Sequence, residues 1–180
     1  MVRERARAER PRGQRPWHRR GWVRWGAYLL LLLALYVGAR AWQTRELASG
    51  MAPELSGLTL EGHTVSLADY RGAPLLLHFW AIWCSVCALE QDSIDALARD
   101  HPVLTIALQS GDAGDVRRHL EREGLNFPVL LDPQGRIAAR YGVKGVPATL
   151  IIGPGGHIRF REVGYTTGTG LRLRLWLAAR

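Results

Sequence analysis

The sequence predicts an α/β sandwich behind one membrane-spanning segment, and three observations carry that prediction. Apolar, strand-like runs alternate with helix-like segments from Leu75 onward, the chain closes on a strand hairpin, and a long apolar stretch precedes everything else. At 180 residues there is room for one well-packed domain and an appendage.

The appendage comes first. Residues 1–24 carry nine Arg against Glu4 and Glu9, a net +7 out of the chain's +8, and read as a cytoplasmic tail. A body of charge +1 has no electrostatic footprint for nucleic acid, which excludes that class of partner. Trp25 to Ala39 is apolar, but its fifteen residues reach only ~23 Å as a helix. The hydrocarbon core is roughly 30 Å thick, so the transmembrane segment is extended to 25–42, with Arg24 and Arg40 snorkelling to the headgroups. Trp17, Trp22 and Trp25 at one end, and Tyr36 and Trp42 at the other, suit interfacial belts. Ala39-Arg40-Ala41 has the form of a leader cleavage site, yet a basic region of 24 residues is long for a cleaved leader. The expectation is therefore a retained signal anchor. Arg19-Arg20 also resembles a twin-arginine signal, and each reading exports the body.

Residues 43–54 read as a linker and 55–180 as the folded domain. Leu58–Leu60 and Thr64–Leu67 alternate around Glu61-Gly62 and predict a small hairpin. Leu75–Trp80 is a buried central strand, Cys84 to about Arg99 a helix free of Gly and Pro, and Val103–Leu108 a second buried strand. Asp112–Glu123 is a helix stopped by Gly124, and Phe127–Leu131 a strand closed by Asp132-Pro133-Gln134-Gly135. Ala148–Ile152 and Ile158–Val163 flank a Gly-Pro-Gly-Gly turn and form the closing hairpin. Leu171–Ala179 fits a strand by its L-R-L-R-L alternation, or a helix by Leu171 and Leu175.

The two cysteines, Cys84 and Cys87, are three residues apart and alone in the chain. A disulfide scaffold needs several separated pairs, and a zinc ribbon a second ligand pair. A dithiol that does chemistry is the simpler reading. Phe79-Trp80-Ala81-Ile82-Trp83-Cys84-Ser85-Val86-Cys87 sets C-x-x-C where a strand hands over to a helix, so unpaired N–H groups at the helix start favour a thiolate at the first Cys. The second, a turn inside, attacks the mixed disulfide formed by the first.

On this block, with Leu67-Ala68-Asp69-Tyr70-Arg71-Gly72, Glu90 and Tyr141-Gly142-Val143-Lys144-Gly145-Val146-Pro147, the domain resembles thioredoxin-like, membrane-anchored disulfide oxidoreductases of the TlpA/ResA type, and particularly their ScsD-like branch. The resemblance implies a thioredoxin fold, a central mixed β-sheet flanked by helices. It also implies a Cys84/Cys87 dithiol–disulfide cycle and a cis Val146–Pro147 bond facing the dithiol. Trp83, Val146 and Pro147 would then line the substrate surface, with Val146 pairing to an extended segment. It brings no cofactor and no metal. Its partners would be cysteine-containing exported proteins and a membrane-bound redox partner that supplies or accepts electrons. The address is the inner (cytoplasmic) membrane, crossed once, with the domain facing the periplasm or cell exterior.

Two departures stand out. Val86 occupies the place where thioredoxins usually have Pro, and His78 the place where they usually have Asp. His78 is either a buried imidazole bonded to its surroundings or the proton acceptor for Cys87. Glu90 and Gln91 are read either as a polar rim near the dithiol or as solvent-exposed. His63, His101, His119 and His157 are assigned no role. An alternative function is a Cu(I)-binding module on the two thiolates, although Met1 and Met51, the only methionines, lie away from the motif. A peroxidase of this fold would need a T-x-x-C site, which the chain lacks.

Overall fold

The structure, a computed structural model, describes residues 18–180, so most of the Arg-rich tail lies outside the described residues. The chain divides into two compact units, Met1–Ala39 and Arg40–Arg180. The first consists, where described, of helix α1 (His18–Thr44), which continues into the second. Within α1, the 21 residues Arg24–Thr44 are long and apolar enough to cross a membrane.

In the second unit the residues read as a linker are packed on the domain. Leu47, Ala52 and Leu55 are buried in a core cluster with Tyr141 and Val143. Strands β1 (Ser56–Leu58) and β2 (Thr64–Ser66) pair antiparallel with Leu58 opposite Thr64, so the expected hairpin begins two residues earlier than its apolar alternation suggested. Ser66 and Asp69 then form a reciprocal cap on a 3₁₀ turn, Leu67–Tyr70.

The main sheet has five strands in the order β5-β4-β3-β6-β7. Strands β3 (Leu75–Trp80), β4 (Val103–Leu108) and β5 (Val129–Asp132) run parallel, as crossover helices require. Strand β6 (Ala148–Ile152) is antiparallel to β3, and β7 (Ile158–Val163) antiparallel to β6. Side chains alternate across a strand, so β3 sends Leu75, Leu77 and Phe79 into one layer and Leu76, His78 and Trp80 into the other.

The expected helix from Cys84 to Arg99 is two helices, α2 (Ser85–Ala88) and α3 (Gln91–Ala98), broken at Leu89-Glu90. No Gly or Pro marks the break. It coincides with Glu90 turning its carboxylate inward, where Oε2 accepts the Thr166 N–H at 3.0 Å. Helix α4 (Ala113–Glu123) starts one residue later than anticipated, because Asp112 is its cap, and ends as expected at a left-handed Gly124. A short helix α5 (Arg136–Arg140) was not foreseen; Asp132 accepts the N–H groups of Ile137 and Ala138 at its start. The ambiguous C-terminus is helix α6 (Gly168–Ala178), capped by Thr167 and burying Leu171, Leu175 and Ala178. Helices α3, α4 and α6 cover the layer holding Leu76, Trp80 and Cys87, while α5 and residues 47–55 cover the other.

Candidate active site

Cys84 and Cys87 stand directly after β3, joined as a disulfide. Cys84 caps α2: its sulfur accepts the Cys87 N–H at 3.1 Å, a contact that favours a thiolate in the reduced state. Because α2 is one turn long, this local N–H, rather than a long helix macrodipole, is the stabilising element. Cys84 is 9% exposed and Cys87 fully buried, so incoming thiols and disulfides meet Cys84 first.

The surroundings of Cys84 come from three loops. Trp83, 60% exposed, has its indole N–H fixed on the Gln109 carbonyl at 3.0 Å. Gln109 takes a left-handed φ of 45°, and the next residue, Ser110, accepts the Ile82 N–H. The Val146–Pro147 bond is cis, and the Val146 carbonyl oxygen lies 3.7 Å from the Cys84 sulfur. The structure thus gathers Cys84, Trp83, Val146 and Pro147 at one end of the sheet.

His78 and Glu90 form the floor of the same layer. Both are 1% exposed, and the rim and solvent-exposed alternatives for Glu90 are replaced by burial. His78 Nδ1 is 2.9 Å from Thr149 Oγ1, its neighbour across the β3–β6 pairing. Its Nε2 faces Glu90 Oε1 at 3.6 Å, and neither atom has another partner. Burial holds the imidazole down to about 3 and pushes the Glu90 carboxyl up to about 7, the Thr166 N–H pulling the latter the other way. At neutral pH Glu90 is therefore poised to gain or lose a proton. Sequence reasoning had the signal for Glu90, its spacing of three from Cys87, but not the inward turn that buries it.

Gln91 is buried too, and its amide lies 3.1 Å from His119 Nε2, an imidazole that stacks at 5.4 Å on Trp80. These two belong to the packing beneath α3 and α4. Among the described residues no cluster of three or more His, Cys, Asp or Glu could hold a metal ion.

Comparison with known proteins agrees with this geometry. Residues 49–161 match the AhpC/TSA family. The chain is 32% identical to the thioredoxin-like protein YneN of Bacillus subtilis, over 82% of this chain and 93% of that one. It is 30% identical to the thiol-disulfide oxidoreductase ResA of Geobacillus thermodenitrificans, over 82% and 90%. The exposed lipoprotein thioredoxin Etrx1 of Streptococcus pneumoniae superposes with a TM-score of 0.62 at 26% identity, covering 69% of this chain and 99% of that one. These relatives do not carry the finer ScsD-like placement. The chain belongs to the AhpC/TSA family and is, within it, a thioredoxin-like thiol–disulfide oxidoreductase of the TlpA/ResA type, working through Cys84 and Cys87.

Proposed function

We propose that Cys84 is the attacking thiol, Cys87 the resolving thiol, and the His78–Glu90 pair the proton store for Cys87. In the reductive direction the Cys84 thiolate attacks a substrate disulfide, forms a mixed disulfide and expels one substrate thiolate. Cys87 then gives its proton to the pair and attacks the Cys84 sulfur. The second substrate thiolate leaves, and the Cys84–Cys87 disulfide is restored. Two electrons pass to the substrate; oxidation of a substrate dithiol is the same sequence reversed. Trp83, Val146 and Pro147 form the docking surface, with the Val146 backbone meeting an extended segment of the substrate.

The observation that supports the proton store is the pair of otherwise unpartnered buried atoms, His78 Nε2 and Glu90 Oε1, set 3.6 Å apart. An imidazole held near 3 is a weak base by itself. Glu90, held near 7, takes the proton at neutral pH, and His78 Nε2 accepts a hydrogen bond from the protonated carboxyl. Stopped-flow exchange with a disulfide substrate tests this. His78→Leu and Glu90→Gln should slow resolution by about tenfold or more while the first attack by Cys84 stays within about twofold. Resolution at the wild-type rate in both variants contradicts the proposal.

The apolar helix and the exported relatives support a wider reading. The substrates are cysteine-containing exported proteins. A retained anchor crosses the inner membrane once, with the domain on the exported side, and a membrane-bound partner exchanges electrons with the dithiol.

A further inference from the structure

Between the end of α1 and β1, residues 44–55 form a strap rather than a free tether. Arg161 of β7 donates from Nη1 to the carbonyl oxygens of Thr44 and Leu47, both at 3.2 Å. The Ala48 N–H donates to the Tyr141 carbonyl at 2.9 Å, and Lys144 pairs with Glu46. Further along, Ala52 donates to the Gly156 carbonyl, and Ile158 donates to the carbonyl of Gly50. The strap thereby covers part of the free edge of β7, the outer strand of the sheet.

Its closest contact is with Gly142. That residue has φ 69°, and a Cβ there would collide with the Glu46 carbonyl oxygen and lie 3.2 Å from the Leu47 Cα. Glycine is required twice over, by the backbone conformation and by the approach of the strap. The loop that carries Gly142 also carries the active-site carbonyl. Residues 141–144 meet the strap, and Val146, two residues further on, meets Cys84.

We infer that Glu46–Ala48 and Gly142 are positioning residues for Cys84: the strap seats the first half of the 141–147 loop and so sets where the Val146 carbonyl stands beside the attacking sulfur. A carbonyl oxygen next to that sulfur disfavours the thiolate, since its negative end faces the developing charge. Releasing the strap withdraws the carbonyl and makes Cys84 more reactive. The juxtamembrane segment thereby tunes the redox centre. The inference takes Cys84 as the attacking thiol and uses no part of the His78–Glu90 reading; alkylation of Cys84 needs no protein substrate, so the two fail separately.

The test uses the reduced full chain in detergent, with two readouts: hydrogen exchange at the Ala48 amide and the rate of Cys84 alkylation by iodoacetamide at pH 7. Gly142→Ala should expose the Ala48 amide and raise the alkylation rate roughly two- to thirty-fold, the span of couplings carried through packed contacts. Arg161→Gln, which unclamps the Thr44 and Leu47 carbonyls, should act in the same direction more weakly, and Arg161→Lys should restore part of the effect. Gly62→Ala is the control, because Gly62 has φ 83° with nothing within 4 Å and carries backbone strain without touching the strap. It should leave Cys84 at the wild-type rate. If Gly142→Ala fails to fold, Arg161→Gln carries both readouts. A freed Ala48 amide with an unchanged Cys84 rate, an amide that stays protected, or an equal rise in Gly62→Ala overturns the inference.

Discussion

The two faces of the central sheet are built to different rules. On one, β3 and β4 present Leu75, Leu77, Phe79, Leu104, Ile106 and Leu108, and β6 adds Leu150 and Ile152, all buried against α5 and the strap. The Asp132 carboxylate at this layer's margin is fully used as the cap of α5. On the other face His78, Thr105, Thr149, Glu90, Gln91 and His119 are buried among the leucines. That half holds the three buried side-chain atoms without a hydrogen-bond partner among the described residues: His78 Nε2, Glu90 Oε1 and Thr166 Oγ1. Buried polar atoms are nearly always paired because leaving one unpaired costs about 1–3 kcal/mol. The apolar face supplies stability that the dithiol face gives up in burying these polar groups, among them the pair we propose takes the proton of Cys87.

The largest expected effect tests that division from the apolar side. Phe79 is fully buried and packs at 5.7 Å on Tyr141. Phe79→Ala should lower the unfolding free energy by about 3–5 kcal/mol in a urea titration. In the protein that remains folded, resolution by Cys87 should stay within about twofold of wild type, since Phe79 faces the layer opposite His78 and Trp80. A variant that keeps its stability but loses exchange would show that the faces are not separable.

A smaller effect tests the dithiol face through pH. The folded carboxyl of Glu90 keeps its proton up to about 7, whereas an unfolded one releases it near 4.5. Its contribution is complete below 4.5 and is lost as pH rises through 7. The folded imidazole of His78 stays neutral down to about 3, whereas an unfolded one gains its proton near 6.5. Its contribution is present above 6.5 and is lost as pH falls toward 3. Between pH 5 and 6 the two slopes oppose, so wild-type stability should be nearly flat with respect to this pair. His78→Leu leaves Glu90 alone, and stability should then fall with rising pH by up to about 1.4 kcal/mol per pH unit. Glu90→Gln should reverse the sign. Denaturant midpoints at pH 5.0, 5.5 and 6.0 check it, and parallel profiles in all three proteins would show that the pair does not hold one proton between them.

Much of this was legible in the sequence, for reasons that also mark where legibility ends. Strands β3 and β4 show as apolar runs because they are parallel, central and buried on both faces, while β6 and β7 were legible from the Gly-Pro-Gly-Gly turn between them. Cys84 and Cys87 were legible because C-x-x-C ties their chemistry to a fixed local spacing. The cis Val146–Pro147 bond, sixty-two residues from Cys84, came only from the family resemblance, and the structure places it beside that sulfur. The break at Leu89-Glu90 was not legible, since its partner is a backbone N–H seventy-six residues away. Gly50 and Pro53 made the strap look like a linker, and its buried apolar side chains, Leu47, Ala52 and Leu55, are too widely spaced to show a period. The α5 helix is five residues long, too short for any period to show. At the C-terminus L-R-L-R-L alternated like a strand, and tertiary packing against α3 and β6 settled it as a helix.

The central claim is that the two sulfurs have different jobs, with Cys84 meeting the outside and Cys87 held beneath it. Competitive alkylation of the reduced chain with a membrane-impermeant maleimide, on intact cells and on lysates, reads it most directly when mapped by mass spectrometry. Cys84 should be modified at least about tenfold faster than Cys87 in both preparations, as its greater exposure and its N–H contact favour. Faster labelling of Cys87 would reverse the assignment, and labelling of Cys84 only after lysis would contradict an exported domain.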